Sequence, residues 1–112
     1  MFEYTGTVDR WVDGDTVDLI VDLGFHVRIH ERFRLLGLNA PERYTEEGKA
    51  STAFVNAKAP PGSTLLVKTF YDKQEKYGRW LVTIWFSGGS TGEFIDLNAL
   101  MILEGVATPY MT

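Results

Sequence analysis

Residues 33–42 place an arginine and a carboxylate on either side of a stiff turn. Arg34 lies within an apolar run that predicts a strand, and Glu42 follows directly after Pro41. Proline fixes its own φ, lacks an N–H and biases the preceding Ala40 away from helix. The turn therefore holds the guanidinium and the carboxylate in a defined relation, which suits a chemical site. The alternative is an ordinary strand end with solvated polar residues.

Size and composition limit the classes of protein that this sequence can represent. A chain of 112 residues is one domain with room for a single core. The absence of cysteine excludes disulfides and thiolate metal sites. No apolar run approaches the ~20 residues needed to span a bilayer, so no membrane partner is expected. No signal-peptide pattern is visible, and a cytoplasmic or phage-encoded protein is favoured over a secreted one.

The charge distribution is uneven along the chain. The net charge is −4, but residues 28–79 contain ten Lys or Arg and six Asp or Glu. The middle of the chain is therefore predicted to present a basic face, unless these charges only solubilise the surface. In the predicted third strand, Arg28, His30, Arg32 and Arg34 alternate with other residues. A period of two places them on one face unless a bulge intervenes.

The periodicity of apolar residues predicts a mainly β protein of the α+β class. Alternation predicts strands over residues 2–12, 16–22, 25–38, 64–70 and 79–86. Helices are predicted over residues 46–58, capped by Thr45, and 97–104, capped by Asp96. The tail from residue 106 is expected to be irregular. Three strands, a helix, two strands and a helix fit a five-stranded Greek-key barrel of the OB-fold type with two helices. A fold alone assigns no function.

Three short motifs occur in a fixed order along the chain. They are Asp13-Gly14-Asp15-Thr16, the Arg34 segment through Asn39-Ala40-Pro41-Glu42, and Lys76-Tyr77-Gly78-Arg79. With the helix between the second and third, they resemble the staphylococcal nuclease family over residues 7–107. Each motif alone is weak, whereas three in order are specific. The resemblance implies a single domain over residues 1–112. It also implies a calcium-dependent phosphodiesterase that cuts DNA and RNA and leaves 3′-phosphate and 5′-hydroxyl ends.

The resemblance assigns catalytic roles to three residues. Arg34 and Arg79 match the two arginines that grip the scissile phosphate and stabilise its transition state. Glu42 matches the glutamate that orients or deprotonates the attacking water. These roles agree with the chemistry of the residue types, because the planar guanidinium fork meets phosphate oxygens in pairs and offsets the charge that develops on phosphorus.

The resemblance also assigns a calcium site. Asp15 matches a metal-ligating aspartate, Ala40 a position whose carbonyl oxygen binds the metal, and Asp13 and Thr16 the surrounding turn. Carboxylates and carbonyls are the hard oxygen ligands that Ca²⁺ takes. Asn39 stands where the best-known members carry a second aspartate, so one negative charge is lost. We expect weaker calcium binding, unless a neighbouring carboxylate or another ion compensates.

The implied substrate is DNA, RNA or both, in single-stranded or frayed form. Lys76 and Tyr77 match residues that contact the far end of the nucleotide. The loop between the second and third strands is longer than in the best-known members. An oligomer is a separate expectation that the sequence leaves open. The alternative to an enzyme is a weakened or inactive OB-fold module that only binds single-stranded nucleic acid. In such a module we expect the catalytic glutamate and arginines to be replaced by other residues. In this chain only one position differs, the metal ligand at Asn39.

Overall fold

The computed structural model describes residues 2–73, 79–88 and 92–110. The elements in chain order are β1 (Phe2–Asp13), β2 (Thr16–Asp22), β3 (Arg28–Leu35), β4 (Leu38–Asn39), α1 (Glu46–Lys58), β5 (Thr64–Asp72), β6 (Arg79–Ser87), β7 (Phe94–Asp96), α2 (Leu97–Leu103) and β8 (Thr108–Pro109).

The main sheet closes on itself as a five-stranded barrel. The barrel strands follow the order β3-β2-β1-β5-β6, and the short β7 adds a sixth strand to the sheet beside β6; all of these neighbours are antiparallel. The barrel closes where β3 pairs with β6 in parallel, with Arg34 opposite Leu81 and Leu35 opposite Val82. The mainly β OB-fold arrangement with two helices is confirmed.

The alternation of side chains fixes which face of each strand enters the core. On β3, Phe33 and Leu35 are 1% exposed, while Arg34 between them turns outward. The same pleat buries Val17, Leu19 and Val21 on β2. Because the inward residues anchor the strands in the core, the outward residues between them are held at fixed positions on the barrel surface.

The third strand is shorter than predicted, and the chain after it turns. β3 begins at Arg28 and ends at Leu35, rather than extending over residues 25–38. Gly37 adopts a φ of +83°, a conformation that favours glycine, and starts the two-residue strand β4. β4 pairs with β8, in the tail that was predicted to be irregular. That prediction was wrong because the partner of β8 lies far away in sequence.

Both helices begin at the predicted caps. Thr45 Oγ1 accepts the Gly48 N–H at 3.0 Å, and Asp96 Oδ1 accepts the Ala99 N–H at 3.0 Å. α1 has the predicted bounds, and α2 ends one residue earlier than predicted, at Leu103. None of the helices in the described ranges is long and apolar enough to cross a membrane.

Candidate active site

The turn between β1 and β2 lies against three other elements. Asp13 Oδ1 accepts the Asp15 N–H at 3.1 Å, and the Asp15 carbonyl accepts the Leu35 N–H at 2.9 Å, which ties the turn to the end of β3. A Cβ at Gly14 would overlap the Ser51 side chain on α1. Glycine is therefore required here so that the turn can approach the helix.

The Asp15 carboxylate connects the turn to the segment after β4. Its Oδ2 accepts the Ala40 N–H at 3.0 Å and lies 3.9 Å from Arg34 Nη2, while its Oδ1 accepts the Thr16 hydroxyl at 3.1 Å. Burial raises the pKa of Asp15, but these hydrogen bonds, one from Asp13 and the Arg34 charge outweigh it and lower the pKa below its usual value. Asp15 is therefore ionised at neutral pH.

Asp13 behaves in the opposite way. Burial, followed by the hydrogen bond and charge of neighbouring Asp15, raises the pKa of Asp13 above its usual value. Two carboxylates side by side repel each other when both are charged, so Asp13 is the one of the pair that takes up a proton first as the pH falls.

The backbone of Glu42 is fixed by the first turn of α1. The Glu42 carbonyl accepts the Thr45 hydroxyl at 2.7 Å and the Thr45 N–H at 3.0 Å. Gly48 packs against the same carbonyl so closely that a Cβ there would overlap its oxygen atom. The helix start thus determines where the exposed Glu42 side chain leaves the chain.

Substitution Gly48→Ala is expected to destabilise the protein, because the new Cβ overlaps backbone that cannot move aside as a flexible side chain can. Overpacking of this kind costs about 1–3 kcal/mol in the free energy of unfolding, which urea denaturation measures. The matched control is Gly6→Ala, where a Cβ would meet Val67 Cγ1 at an ordinary 3.4 Å. Equal losses for the two variants would contradict the tight fit at Gly48.

Barrel closure brings the two predicted catalytic arginines to the same face. Arg34 lies opposite Leu81 in the parallel β3–β6 pair, and Arg79 is two residues before Leu81 on β6. The Tyr110 ring lies under Arg34, with 5.3 Å between the guanidinium carbon and the ring centroid. Arg34 is therefore restrained from two sides, by Asp15 and by Tyr110.

These elements surround an open cavity of about 640 Å³. The residues predicted for catalysis and metal binding that the structure describes all line it. The full lining consists of Asp13, Asp15, Thr16, Arg32, Phe33, Arg34, Asn39, Ala40, Pro41, Glu42 and Arg79. The two predicted nucleotide contacts, Lys76 and Tyr77, lie outside the described residues.

Most of the chain matches a known protein family. Residues 32–112, which include the β3 end, β4, α1 and β6, match the family model described as staphylococcal nuclease homologue. The chain belongs to the staphylococcal nuclease family. The family match covers the Arg34, Glu42 and Arg79 positions together.

Several curated proteins resemble this member of the staphylococcal nuclease family. It is 29% identical to endonuclease YhcR of Bacillus subtilis over 96% of the chain, but over only 9% of that protein. It is 31% identical to an uncharacterised endonuclease of Escherichia coli O157:H7, covering 94% of the chain and 60% of the relative. It is 29% identical to the micrococcal nuclease of Shigella flexneri, covering 96% and 59%. The chain therefore spans less than two thirds of the length of these relatives.

The cavity of this nuclease-family chain offers hard oxygen donors. The Asp15 carboxylate, the Asn39 amide and the Ala40 carbonyl are of the types that calcium takes, with Asp13 and Glu42 in the same cavity. Within the described residues, no three Asp, Glu or His side chains cluster closely enough to hold a metal ion. The types of donor that line the cavity fit calcium.

Two residues of the site were not recognised from the sequence. Arg32 lines the cavity beside Arg34. The sequence indicated this only by its spacing, because Arg32 lies two residues before Arg34 and therefore on the same face of β3. Tyr110 lies in the tail, and no local pattern predicts the β4–β8 pair that brings it to Arg34. The Tyr110 N–H donates to the Gly37 carbonyl at 2.9 Å, which holds the tail in place.

Proposed function

We propose that this chain is a calcium-dependent nuclease that hydrolyses phosphodiester bonds of DNA, RNA or both and leaves 3′-phosphate and 5′-hydroxyl ends. The observation that carries the proposal is the cavity that Arg34, Glu42 and Arg79 line together. The similarity to proteins named endonuclease and micrococcal nuclease supports the same class of reaction.

The two arginines bind and polarise the phosphate. Their guanidinium groups donate to its non-bridging oxygens, where negative charge grows as phosphorus becomes pentavalent. Arg34 is held by Asp15 and Tyr110 before the substrate arrives, so little reorganisation is needed on binding. Arg79 lies exposed on the neighbouring strand and approaches the phosphate from the side of β6.

Glu42 activates the water. Its exposed carboxylate accepts a proton from a water molecule as that oxygen attacks phosphorus, and the bond to the 5′ oxygen breaks on the opposite side. The released 5′ oxygen then takes up a proton and leaves as a hydroxyl. The hydrogen bonds between Thr45 and the Glu42 carbonyl fix the backbone from which this carboxylate extends.

Calcium would be held by the Asp15 carboxylate, the Asn39 amide oxygen and the Ala40 carbonyl oxygen. When bound, the cation supplies Lewis-acid stabilisation of the phosphate charge. The hydrogen bond from the Ala40 N–H to Asp15 keeps two of these groups together without the ion.

The test is cleavage of a single-stranded DNA in the presence of Ca²⁺ or of EDTA, with analysis of the product ends. We expect cutting with Ca²⁺, no cutting with EDTA, and fragments that carry 3′-phosphates. Binding of the DNA without cutting under either condition would instead favour a non-catalytic OB-fold module. Cutting that EDTA leaves unchanged would contradict the calcium requirement.

Asn39→Asp is expected to tighten calcium binding, because it adds a negative charge to the proposed ligand set and ligand charge tunes calcium affinity. Isothermal titration calorimetry with Ca²⁺ measures the effect. Asn56→Asp, on α1 and away from the cavity, controls for the change in net charge. An unchanged or weaker affinity in Asn39→Asp would show that Asn39 is not a ligand.

A further inference from the structure

The hairpin between β2 and β3 extends beyond the barrel. The pairing of these strands continues without a register shift from Thr16 opposite Arg34 to Asp22 opposite Arg28. On its other side, β3 pairs with β6 only at Arg34 and Leu35. In the described part of the chain, the rest of β3 therefore forms a free edge that leads away from the cavity.

The tip of this hairpin holds an aromatic side chain in solvent. Phe25 is 98% exposed. Gly24, Phe25 and His26 have φ values of +85°, +52° and +63°. Residues other than glycine rarely adopt this conformation, so two in succession mark a constrained loop. Hydrogen bonds from the Leu23 N–H to the Val27 carbonyl and from the Val27 N–H to the Gly24 carbonyl, at 2.9 and 2.8 Å, close the loop.

Basic residues connect the tip with the cavity. Because the register is continuous, Arg28, His30, Arg32 and Arg34 lie on one face of β3, about 6.7 Å apart in turn. Arg32 and Arg34 already line the cavity. This repeat is comparable with the step between successive phosphates of an extended nucleic acid strand.

Most of the cations on the hairpin already have acidic partners. Residues 16–34 contain three arginines, two histidines and three Asp or Glu residues, and His30 Nε2 lies 3.0 Å from Asp9 Oδ2. On neighbouring β2, Asp18 is shared by Arg32 at 2.8 Å and Arg10 at 3.4 Å. Arg28 makes no ion pair with any residue that the structure describes, although Asp22 lies opposite it in the register. Its guanidinium is therefore available to an external anion.

We propose that the β2–β3 hairpin is a second binding site for single-stranded nucleic acid, where Phe25 stacks on a base and Arg28 contacts the backbone. Aromatic side chains interleaved with cations are the usual means of binding single strands. The proposal rests on the proposed function, because the bound strand continues into the cavity where its phosphodiester is cut. Substrates long enough to reach the tip are then bound more tightly than short ones.

Binding is tested by fluorescence anisotropy with a labelled oligothymidylate of about twelve nucleotides, within the site sizes typical of OB folds, in EDTA so that no cleavage occurs. Phe25→Ala and Arg28→Ala are each expected to weaken binding about tenfold. Leu103→Ala, which removes an 80% exposed apolar side chain from α2, is the matched control and is expected to bind like the unchanged protein.

Cleavage supplies the second readout. For Phe25→Ala, the ratio of kcat/KM for the long oligonucleotide to kcat/KM for a thymidine dinucleotide is expected to fall about tenfold, since the dinucleotide is too short to reach the tip. Binding and ratio both unchanged in Phe25→Ala and Arg28→Ala would overturn the hairpin site while leaving the nuclease proposal intact. If Phe25→Ala or Arg28→Ala changed only the oligomeric state, measured by sedimentation, the hairpin site would also be overturned. The tip would then be a contact between copies of the chain.

Failure of the nuclease proposal gives a different pattern. The unchanged protein would then bind the oligonucleotide without cutting it, and the anisotropy comparison would still decide the role of the hairpin. Absence of binding by the unchanged protein would overturn the hairpin site directly.

Discussion

Glu42→Gln is expected to lower the rate of phosphodiester cleavage by about 10²–10⁴-fold, the usual contribution of a general base. Glutamine keeps the size and the hydrogen-bonding capacity of the side chain but cannot take the proton from water. The Glu42 backbone is fixed by Thr45 and Gly48, so the variant side chain leaves the chain at the same point. Steady-state kinetics with single-stranded DNA and saturating Ca²⁺ measure the loss.

The loss in Glu42→Gln should fall on kcat and not on the affinity for DNA, because the carboxylate acts on water. Glu46→Gln is the matched control, since Glu46 is also exposed, lies four residues further along, and is absent from the cavity lining. We expect Glu46→Gln to cleave within a few-fold of the unchanged protein. Full activity of Glu42→Gln would show that a group other than Glu42 acts as the general base.

Asn98→Ala is expected to lower the free energy of unfolding by about 2–4 kcal/mol, because it removes three hydrogen bonds to the backbone where the barrel closes. Asn98 is 7% exposed on α2. Its amide donates to the Leu36 carbonyl at 3.0 Å and the Val82 carbonyl at 3.1 Å, and its oxygen accepts the Ile84 N–H at 3.2 Å. One side chain thus connects the end of β3 with β6, where the barrel closes. Urea denaturation measures the change.

Asn56→Ala is the control for Asn98→Ala. The Asn56 amide makes one hydrogen bond, to the Thr52 carbonyl one turn earlier in α1, at 2.9 Å. This half-buried position on a helix is expected to lose less than about 1 kcal/mol. Similar losses for the two variants would mean that the hydrogen bonds of Asn98 contribute little to barrel closure.

The sequence predicted most of the local structure. Apolar alternation predicted the five barrel strands but not the short strands β4, β7 and β8. Thr45 and Asp96 predicted the starts of both helices, because a cap acts on N–H groups only two or three residues away. The order of these elements was sufficient for the OB-fold barrel. The motifs also marked Asp15, Arg34 and Glu42 as chemically suited to one site.

The tertiary structure alone decided how these residues meet. Arg79 joins Arg34 through the parallel β3–β6 pair, and Tyr110 reaches Arg34 through the β4–β8 pair. The contact of Gly48 with Glu42 depends on how α1 packs. The left-handed conformation that begins at Gly24 continues through Phe25 and His26, where no glycine predicts it. Local periodicity carries information over a few residues, whereas strand partners far apart in sequence are selected by the burial of the whole core. The sequence by itself therefore determined which residue types could form the site. The closed barrel determined that these residues lie close together.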